Sequence, residues 1–317
     1  MGEHPVSYPY RWTIEEYVLR SALGADIREL VVEGDLDVAF YGDILNRYGV
    51  ADVNILDADY IQADDRELER RGVRTGVKGR LLALGYALAD EMAVRGTLAA
   101  TVAIVVDRDE DGVPPALNGL VLVTDWYSTE NYAFSLAGLD RFVSIVLGRQ
   151  ARPAGAGGQR REDRTPVTGD ELLARLEAAA IDLTAVRRVL RRRDPPIGLP
   201  DGWPRHAKVE ASGHITLSAD RLIRAALDAR GGAPEDDMAK AVEEREVVSA
   251  NPRLFVKGRD FVELLLKLLR SQWGKRRSSL AFAHIGQDEL GRLVTMSADP
   301  VEVDRAAIVA SLTSIFR

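Results

Sequence analysis

Short apolar runs rich in β-branched residues alternate with helical patterns through the first half of the chain, and this alternation limits its fold more than any other feature. Strands are predicted at residues 29–32, 52–56, 101–106 and 120–124, and helices at 37–48 and 77–94. Strands separated by helices form βαβ units, in which the strands lie parallel. We therefore expect an α/β fold with a mostly parallel sheet flanked by helices.

The second half of the chain differs from the first in its pattern. Residues 151–166 are rich in Gly, Pro and charge, which is typical of a linker. Helices are predicted at 170–193, 219–230 and 259–270. The sequence thus predicts an N-terminal extension over residues 1–25, a sheet domain over 26–150, and a mainly helical domain over 167–317.

Composition limits which metal ligands the protein can offer, and the sequence also indicates its cellular location. The chain has no cysteine, which excludes a thiolate zinc site, and its four histidines disfavour an imidazole-rich one. Any metal is therefore expected to have oxygen ligands. The N-terminus lacks a signal-peptide pattern, and no apolar run approaches the roughly 20 residues of a membrane-spanning helix. We expect a cytoplasmic protein with no membrane partner.

Acidic and basic residues are concentrated in different parts of the chain. Residues 26–69 contain thirteen acids and three arginines, whereas residues 141–194 contain twelve arginines and seven acids. A further basic segment, 253–277, ends in Lys275-Arg276-Arg277. An acidic cluster beside arginine-rich segments, including the run 187–193, suits an enzyme that acts on a polyanion. A solvated surface that keeps the protein soluble is the alternative.

Acidic residues directly follow two of the predicted strands. Glu33-Gly34 comes after the first strand, and Asp107-Arg108-Asp109 comes after the strand 101–106. In an open α/β sheet, ligands bind beyond the carboxyl ends of the strands. If the backbone stays extended, Asp107 and Asp109 project to the same side. Three carboxylates at close range would favour a divalent cation between them, whereas either motif taken alone is more typical of a solvated loop.

These residues resemble known signatures. Val31-Val32-Glu33-Gly34 with Asp37, followed by Val105-Val106-Asp107-Arg108-Asp109, resembles the Toprim signature of topoisomerases, primases and several nucleases. The run from Thr124 to Tyr132 resembles the family of domain of unknown function 4435. That family includes the Toprim nuclease subunit of the PARIS anti-phage defence system, which works with an ABC-type ATPase.

The resemblance implies roles for individual residues of a Toprim-like catalytic domain. It makes Glu33 the catalytic acid or base and a metal ligand, with Asp107 and Asp109 as further ligands of Mg²⁺ (or Mn²⁺). Additional candidates are Asp37 and Asp111 for a second metal, Glu130 for closing the site, and Lys78 for a phosphate. Glu130 is equally well placed to cap a helix near Ser128, and Lys78 could be ordinary surface charge.

The leading interpretation is a magnesium-dependent endonuclease acting on RNA, such as transfer RNA, or on DNA, with RNA favoured. The resemblance further implies an anti-phage defence effector controlled by a partner ABC-type ATPase, and a second copy of the chain is another candidate partner. No Gly-x-x-x-x-Gly-Lys-Ser/Thr motif occurs in the chain itself. The alternatives are a catalytically silent Toprim sensor or assembly subunit, and nucleotidyl transfer by the same acids.

Overall fold

The structure is a computed structural model that describes residues 11–109, 112–147, 168–228, 234–273 and 284–317. It divides the chain into two compact units: unit 1 is Met1–Asp125 with Asp304–Arg317, and unit 2 is Trp126–Val303. The sequence placed the boundary at residues 151–166, a segment that lies outside the described residues. The observed division comes earlier, directly after Asp125. The C-terminal residues Asp304–Arg317 belong to unit 1.

The elements fall into two groups along the chain. Up to Val123 they are β1 (Trp12–Thr13), α1 (Ile14–Leu23), β2 (Arg28–Val32), α2 (Asp35–Arg47), β3 (Asn54–Asp57), β4 (Ile61–Gln62), α3 (Asp65–Arg70), α4 (Val77–Arg95), β5 (Thr101–Val106) and β6 (Val121–Val123). Beyond it they are α5 (Leu136–Phe142), α6 (Gly169–Arg191), β7 (Ala207–Val209), β8 (Ile215–Leu217), α7 (Ala219–Asp228), α8 (Glu235–Ala250), α9 (Pro252–Phe255), α10 (Gly258–Trp273), α11 (Gln287–Thr295), α12 (Pro300–Asp304) and α13 (Ala307–Phe316).

Unit 1 is built on a four-stranded parallel sheet with the order β3-β2-β5-β6. A separate pair, β1 with β4, is also parallel. The central strands β2 and β5 are buried along almost their whole length, as continuous apolar runs are in sheets covered on both faces. The predicted α/β fold with a mostly parallel sheet flanked by helices is therefore confirmed.

Helix α1 belongs to the core of unit 1. Its residues Ile14 and Tyr17 are buried together with Leu84 and Leu88 of α4. The N-terminal segment was predicted to be an extension, but its described part, from residue 11, packs into this core. A capping box between Thr13 and Glu16 fixes the start of the helix.

The C-terminal helix α13 also completes unit 1. It packs against β5 and β6 and buries four apolar side chains, Ile308, Val309, Leu312 and Phe316. The carboxylate of Asp125 accepts hydrogen bonds from the backbone amides of Ala307, at 2.9 Å, and Ile308, at 3.2 Å, and so caps the start of the helix. The last fourteen residues are thus part of the sheet unit rather than of the helical domain to which the sequence assigned them.

Unit 2 is mainly helical, as predicted for the C-terminal part. Helix α6 packs against α5, α8 and α10, and the hairpin β7–β8 adds two antiparallel strands. The rings of Phe134 and Phe261 stack with their centroids 4.2 Å apart. In the described parts of both units, every helix is too short or too polar to cross a lipid bilayer.

Candidate active site

The parallel sheet brings two of the predicted acids together. The four strands of the β3-β2-β5-β6 sheet end at one edge, here called the carboxyl edge, where Glu33 follows β2 and Asp107 follows its neighbour β5. The Oε1 atom of Glu33 accepts a hydrogen bond from the backbone amide of Asp107 at 2.8 Å. Glu33 therefore points toward the end of β5, although 74 residues of chain separate the two.

Lys78 lies at the same place. Its Nζ donates a hydrogen bond to the carbonyl oxygen of Asp107 at 2.9 Å, and it forms an ion pair with the carboxylate of Asp109. The Lys78 side chain is 14% exposed and that of Asp109 is 25% exposed, so water screens this pair less than a surface pair. The structure thus groups Glu33, Lys78, Asp107 and Asp109 at the carboxyl edge.

Glycines shape the turn that presents Lys78. Gly76, just before α4, has a φ of +117°, a conformation that residues with a side chain rarely adopt. Gly79 is buried, and a Cβ added there would lie 1.7 Å from the carbonyl oxygen of Arg74. The sequence signal for this feature is the run Gly76-Val77-Lys78-Gly79, a lysine between glycines at the start of a helix, from which sequence analysis took Lys78 as a candidate for a phosphate.

Asp109 reaches Lys78 from a turn. Strand β5 ends at Val106, so Asp107 and Asp109 follow the strand, and Asp109 belongs to a turn. Arg108 holds the chain here, since its amide donates to Thr124 Oγ1 at 2.9 Å and its Nε donates to the Thr124 carbonyl at 3.0 Å. These bonds join the ends of β5 and β6, a positioning role that sequence analysis did not foresee.

The other acids near the carboxyl edge have local structural contacts. Asp37, predicted as a ligand of a second metal, accepts a hydrogen bond from the amide of Gly34 at 3.0 Å at the start of α2. Asp57 ends β3 opposite Val32 and accepts from the amide of Asp59 at 2.8 Å. Asp111, the remaining predicted ligand, lies outside the described residues.

The grouped residues match magnesium in chemistry but not in arrangement. Carboxylate oxygens are the ligands that Mg²⁺ and Mn²⁺ prefer. Nevertheless, the described residues contain no group of three acids or histidines placed to hold one metal ion. Asp109 is already paired with the ammonium group of Lys78. With the side chains arranged in this way, a metal held jointly by Glu33, Asp107 and Asp109 does not fit.

Glu130 lies in unit 2, whereas the other candidates lie in unit 1. It belongs to a 3₁₀ turn, Thr129–Tyr132, which packs on the first residues of α10. A Cβ added at Gly258 would lie 2.7 Å from Glu130 Oε2 and 2.3 Å from Ser128 Oγ. The Glu130 carboxylate therefore contacts the N-terminus of α10, where the helix dipole favours a negative charge. Its predicted part in the acidic site stays a prediction.

Residues of the run 124–132 and of the basic segment 253–277 contact each other within unit 2. Asn131 is fully buried, and its amide group donates to the carbonyls of Arg253, at 2.9 Å, and Val256, at 2.8 Å. Ser128 Oγ accepts from the amide of Gly258 at 3.1 Å. The Ser-Thr-Glu-Asn-Tyr run thus fixes the chain that enters α10, which gives these residues a structural role.

The arginine run of α6 is largely occupied by ion pairs within unit 2. Arg187 contacts Asp260 at 2.6 Å, Arg188 contacts Glu244 at 2.6 Å, and Arg193 contacts Asp237 at 2.7 Å. Arg192 also pairs with Glu244. All three acids are buried, so these arginines hold α6 against α8 and α10. Neither a phosphate-binding surface nor a purely solvated helix end, the two interpretations that the sequence left open, describes Arg187, Arg188 and Arg193. Lys275-Arg276-Arg277 lie outside the described residues.

Two comparisons with known proteins find no relative of this chain. No protein-family model matches the chain. A search of curated proteins also returns no match.

Proposed function

We propose that unit 1 carries a Toprim-type phosphodiester-cleaving site and that the protein is a nuclease of RNA or DNA, with RNA favoured. The observation that supports this most is the grouping of Glu33, Lys78, Asp107 and Asp109 at the carboxyl edge. Ligands of open α/β sheets bind at that edge. A carboxylate that can accept a proton and an ammonium group that can stabilise developing negative charge both assist hydrolysis of a phosphodiester.

Glu33 and Lys78 have different tasks in this proposal. The carboxylate of Glu33 accepts a proton from the water that attacks phosphorus, as a general base does. The phosphorus–oxygen bond to the leaving nucleoside breaks, and the leaving oxygen takes a proton from solvent. The ammonium group of Lys78 stabilises the negative charge that develops on a phosphoryl oxygen. Arg108 and Gly79 are positioning residues, because they fix the turns that carry Asp109 and Lys78.

Magnesium or manganese is the cofactor that the resemblance implies. When bound, such an ion would supply Lewis-acid polarisation of a phosphoryl oxygen. Because Asp109 is paired with Lys78 in the structure, the proton transfer and the charge stabilisation belong to Glu33 and Lys78 rather than to the ion.

A cleavage assay tests the proposal. The full-length protein is incubated with labelled transfer RNA, other RNA, single-stranded DNA and duplex DNA, in Mg²⁺, Mn²⁺ or chelator. We expect cleavage of at least one substrate, and loss of about 100-fold or more of that rate in Glu33→Gln, because removal of a general base typically has this effect. Asp57→Asn is the matched control: it removes another acid at the carboxyl edge yet retains an oxygen for the amide of Asp59.

One result would contradict the proposed site, and another would contradict only its metal dependence. If Glu33→Gln cleaves as fast as the wild type, the site is assigned wrongly. If cleavage survives chelation, the metal dependence that the resemblance implies is wrong, while the roles of Glu33 and Lys78 stand.

A catalytically silent Toprim module is the second candidate, and the Lys78–Asp109 ion pair favours it, since the pair already neutralises one acid. Under this alternative the wild type cleaves none of the four substrates in any metal. The defence role and the partner ABC-type ATPase rest on the resemblance alone. Co-purification with an ATPase encoded beside this gene tests that association.

A further inference from the structure

Arg108 brings a second positive charge to the carboxyl edge, and the proposed reaction does not use that charge. Its Nε donates to the carbonyl oxygen of Thr124 at 3.0 Å, and its backbone amide donates to Thr124 Oγ1 at 2.9 Å. Thr124 is buried, whereas Arg108 is exposed. The two bonds therefore tie an exposed side chain to a buried part of the sheet.

The geometry of the guanidinium group leaves one of its sides open. Arginine has five N–H donors in a planar fork, one on Nε and two on each terminal nitrogen. Within the described part of the chain, no acceptor contacts Nη1 or Nη2 of Arg108, and Asp109 pairs with Lys78 instead. Two terminal nitrogens in one plane match two oxygens of a phosphate group. The bond through Nε thus orients a bidentate phosphate donor.

Arg108 reaches the end of a different strand from the one at which Glu33 lies. Glu33 contacts the backbone amide of Asp107, which follows β5, whereas the Arg108 guanidinium contacts the backbone of Thr124, which follows the neighbouring strand β6. Adjacent strands are about 5 Å apart. An anion held by Arg108 would therefore lie beside a phosphate held at Glu33 and Lys78, rather than in the same position.

The acidic groups at the carboxyl edge would repel a nucleic acid unless cations offset them. Three carboxylates, those of Glu33, Asp107 and Asp109, lie there, and the Lys78 ammonium already pairs with one of them. Each phosphate of a bound polynucleotide adds a further negative charge. The Arg108 guanidinium is always charged, so it offsets part of this repulsion at any physiological pH.

We infer that Arg108 binds a second phosphate of the substrate, next to the phosphate that is cleaved. The inference deepens the proposed function and rests on it, because it takes the carboxyl edge as the place where the scissile phosphate binds. It makes the substrate a polynucleotide with consecutive phosphates. Arg108 then binds the substrate in addition to positioning the turn that carries Asp109.

The test measures the affinity of a labelled single-stranded RNA by fluorescence anisotropy, with DNA of the same sequence as a second arm. The parent is Glu33→Gln, so that the probe is not cleaved, and Arg108→Gln and Arg108→Lys are added to it. We expect Arg108→Gln to weaken binding about 10- to 100-fold, as loss of a charge-assisted contact does. The slope of log affinity against log salt concentration should fall by about 0.7, the value for one phosphate contact on a single strand.

Two further variants separate this contact from general charge effects. Arg108→Lys keeps the charge but loses the planar fork, so we expect an intermediate loss of affinity with the salt slope of the parent. Arg95→Gln is the matched control, because Arg95 is a partly exposed arginine paired with Glu91 at the other end of α4, about 25 Å from Lys78. It should bind RNA like the parent.

Steady-state cleavage by proteins that retain Glu33 gives a second readout. We expect Arg108→Gln to raise KM about 10- to 100-fold and to change kcat by less than about threefold, since a contact made equally before and during the reaction affects KM alone. If Arg108 only positioned the turn at Asp109, its loss would lower kcat instead. Circular dichroism and thermal unfolding establish that each variant is folded before the comparisons are made.

Unchanged affinity for both probes in folded Arg108→Gln would overturn the inference, as would an equal loss in Arg95→Gln or a parent that binds neither probe. If Glu33→Gln abolishes cleavage while Arg108→Gln binds like the parent, the proposed function stands without a second phosphate contact. If the wild type cleaves none of the four substrates while Arg108→Gln loses affinity and salt slope, the phosphate contact is supported and the proposed nuclease activity is contradicted.

Discussion

Glu244 offers the sharpest test of how unit 2 is held together. It is 8% exposed, and its carboxylate contacts Arg188 at 2.6 Å and also pairs with Arg192. Removal of one partner of a buried ion pair costs about 3–5 kcal/mol. Arg192 is 61% exposed and can be solvated, whereas Arg188 is 12% exposed. We therefore expect Glu244→Ala to lower the free energy of unfolding of unit 2 by about 2–3 kcal/mol, mainly through Arg188.

The assay is urea unfolding followed by tryptophan fluorescence in a Trp12→Phe background. That background leaves tryptophans only at positions 126, 203 and 273, all in unit 2, so the signal reports this unit. Glu243→Ala is the control, because Glu243 is the exposed neighbour of Glu244 on α8. The control should change stability by less than about 0.5 kcal/mol. If Glu244→Ala lowers the free energy of unfolding by less than about 1 kcal/mol, the ion pair of Glu244 with Arg188 does not stabilise unit 2 as described.

The same residue predicts a pH dependence. Burial raises the pKa of Glu244, but the hydrogen bonds and charges of Arg188 and Arg192 outweigh this and lower the pKa below its ordinary value of 4.5. A depressed carboxyl pKa contributes stability that is present above the unfolded-state pKa and is lost as pH falls through the folded-state pKa. The stability difference between wild type and Glu244→Gln should therefore be full at neutral pH and shrink below about pH 4.5.

Three further substitutions test other parts of the fold. Leu312→Ala removes a fully buried side chain of α13, and we expect calorimetry to show unit 1 destabilised by about 2–4 kcal/mol; no loss would mean that α13 does not complete this unit. Asn131→Ala removes two hydrogen bonds to the chain entering α10, with an expected loss of about 1–3 kcal/mol by urea unfolding, and an unchanged midpoint would contradict the assignment. Gly79→Ala forces the turn at Arg74 to move, so we expect unit 1 to lose about 1–3 kcal/mol; full stability would show that the close approach is not needed.

The sheet of unit 1 could be predicted because its signals are local. The strand predicted at residues 101–106 is observed at Thr101–Val106, since six consecutive apolar or β-branched residues fit a strand covered on both faces. The helix predicted at 77–94 is observed at Val77–Arg95, between Gly76 and Gly96. The placement of Glu33 near Asp107 followed from the rule that parallel strands end at one edge of a sheet.

The contacts that could not be predicted depend on partners far away in the chain. Arg187, Arg188 and Arg193 look like a basic surface in sequence, because the acids that pair with them lie 44 to 73 residues further on. Lys78 likewise pairs with Asp109, which lies 31 residues further along the chain. The apolar pattern of α13 indicates a buried helix but carries no information about which of two cores buries it.

The central claim is that the groups at the carboxyl edge act as one site. The most direct measurement compares cleavage rates of the wild type, Glu33→Gln, Asp109→Asn and the double variant on one labelled RNA. Groups that act as a unit are strongly non-additive, so the account predicts that each single variant loses most of the activity and that the double variant is hardly slower than either. Independent, multiplying effects of the two substitutions, or full activity in the double variant, would contradict it.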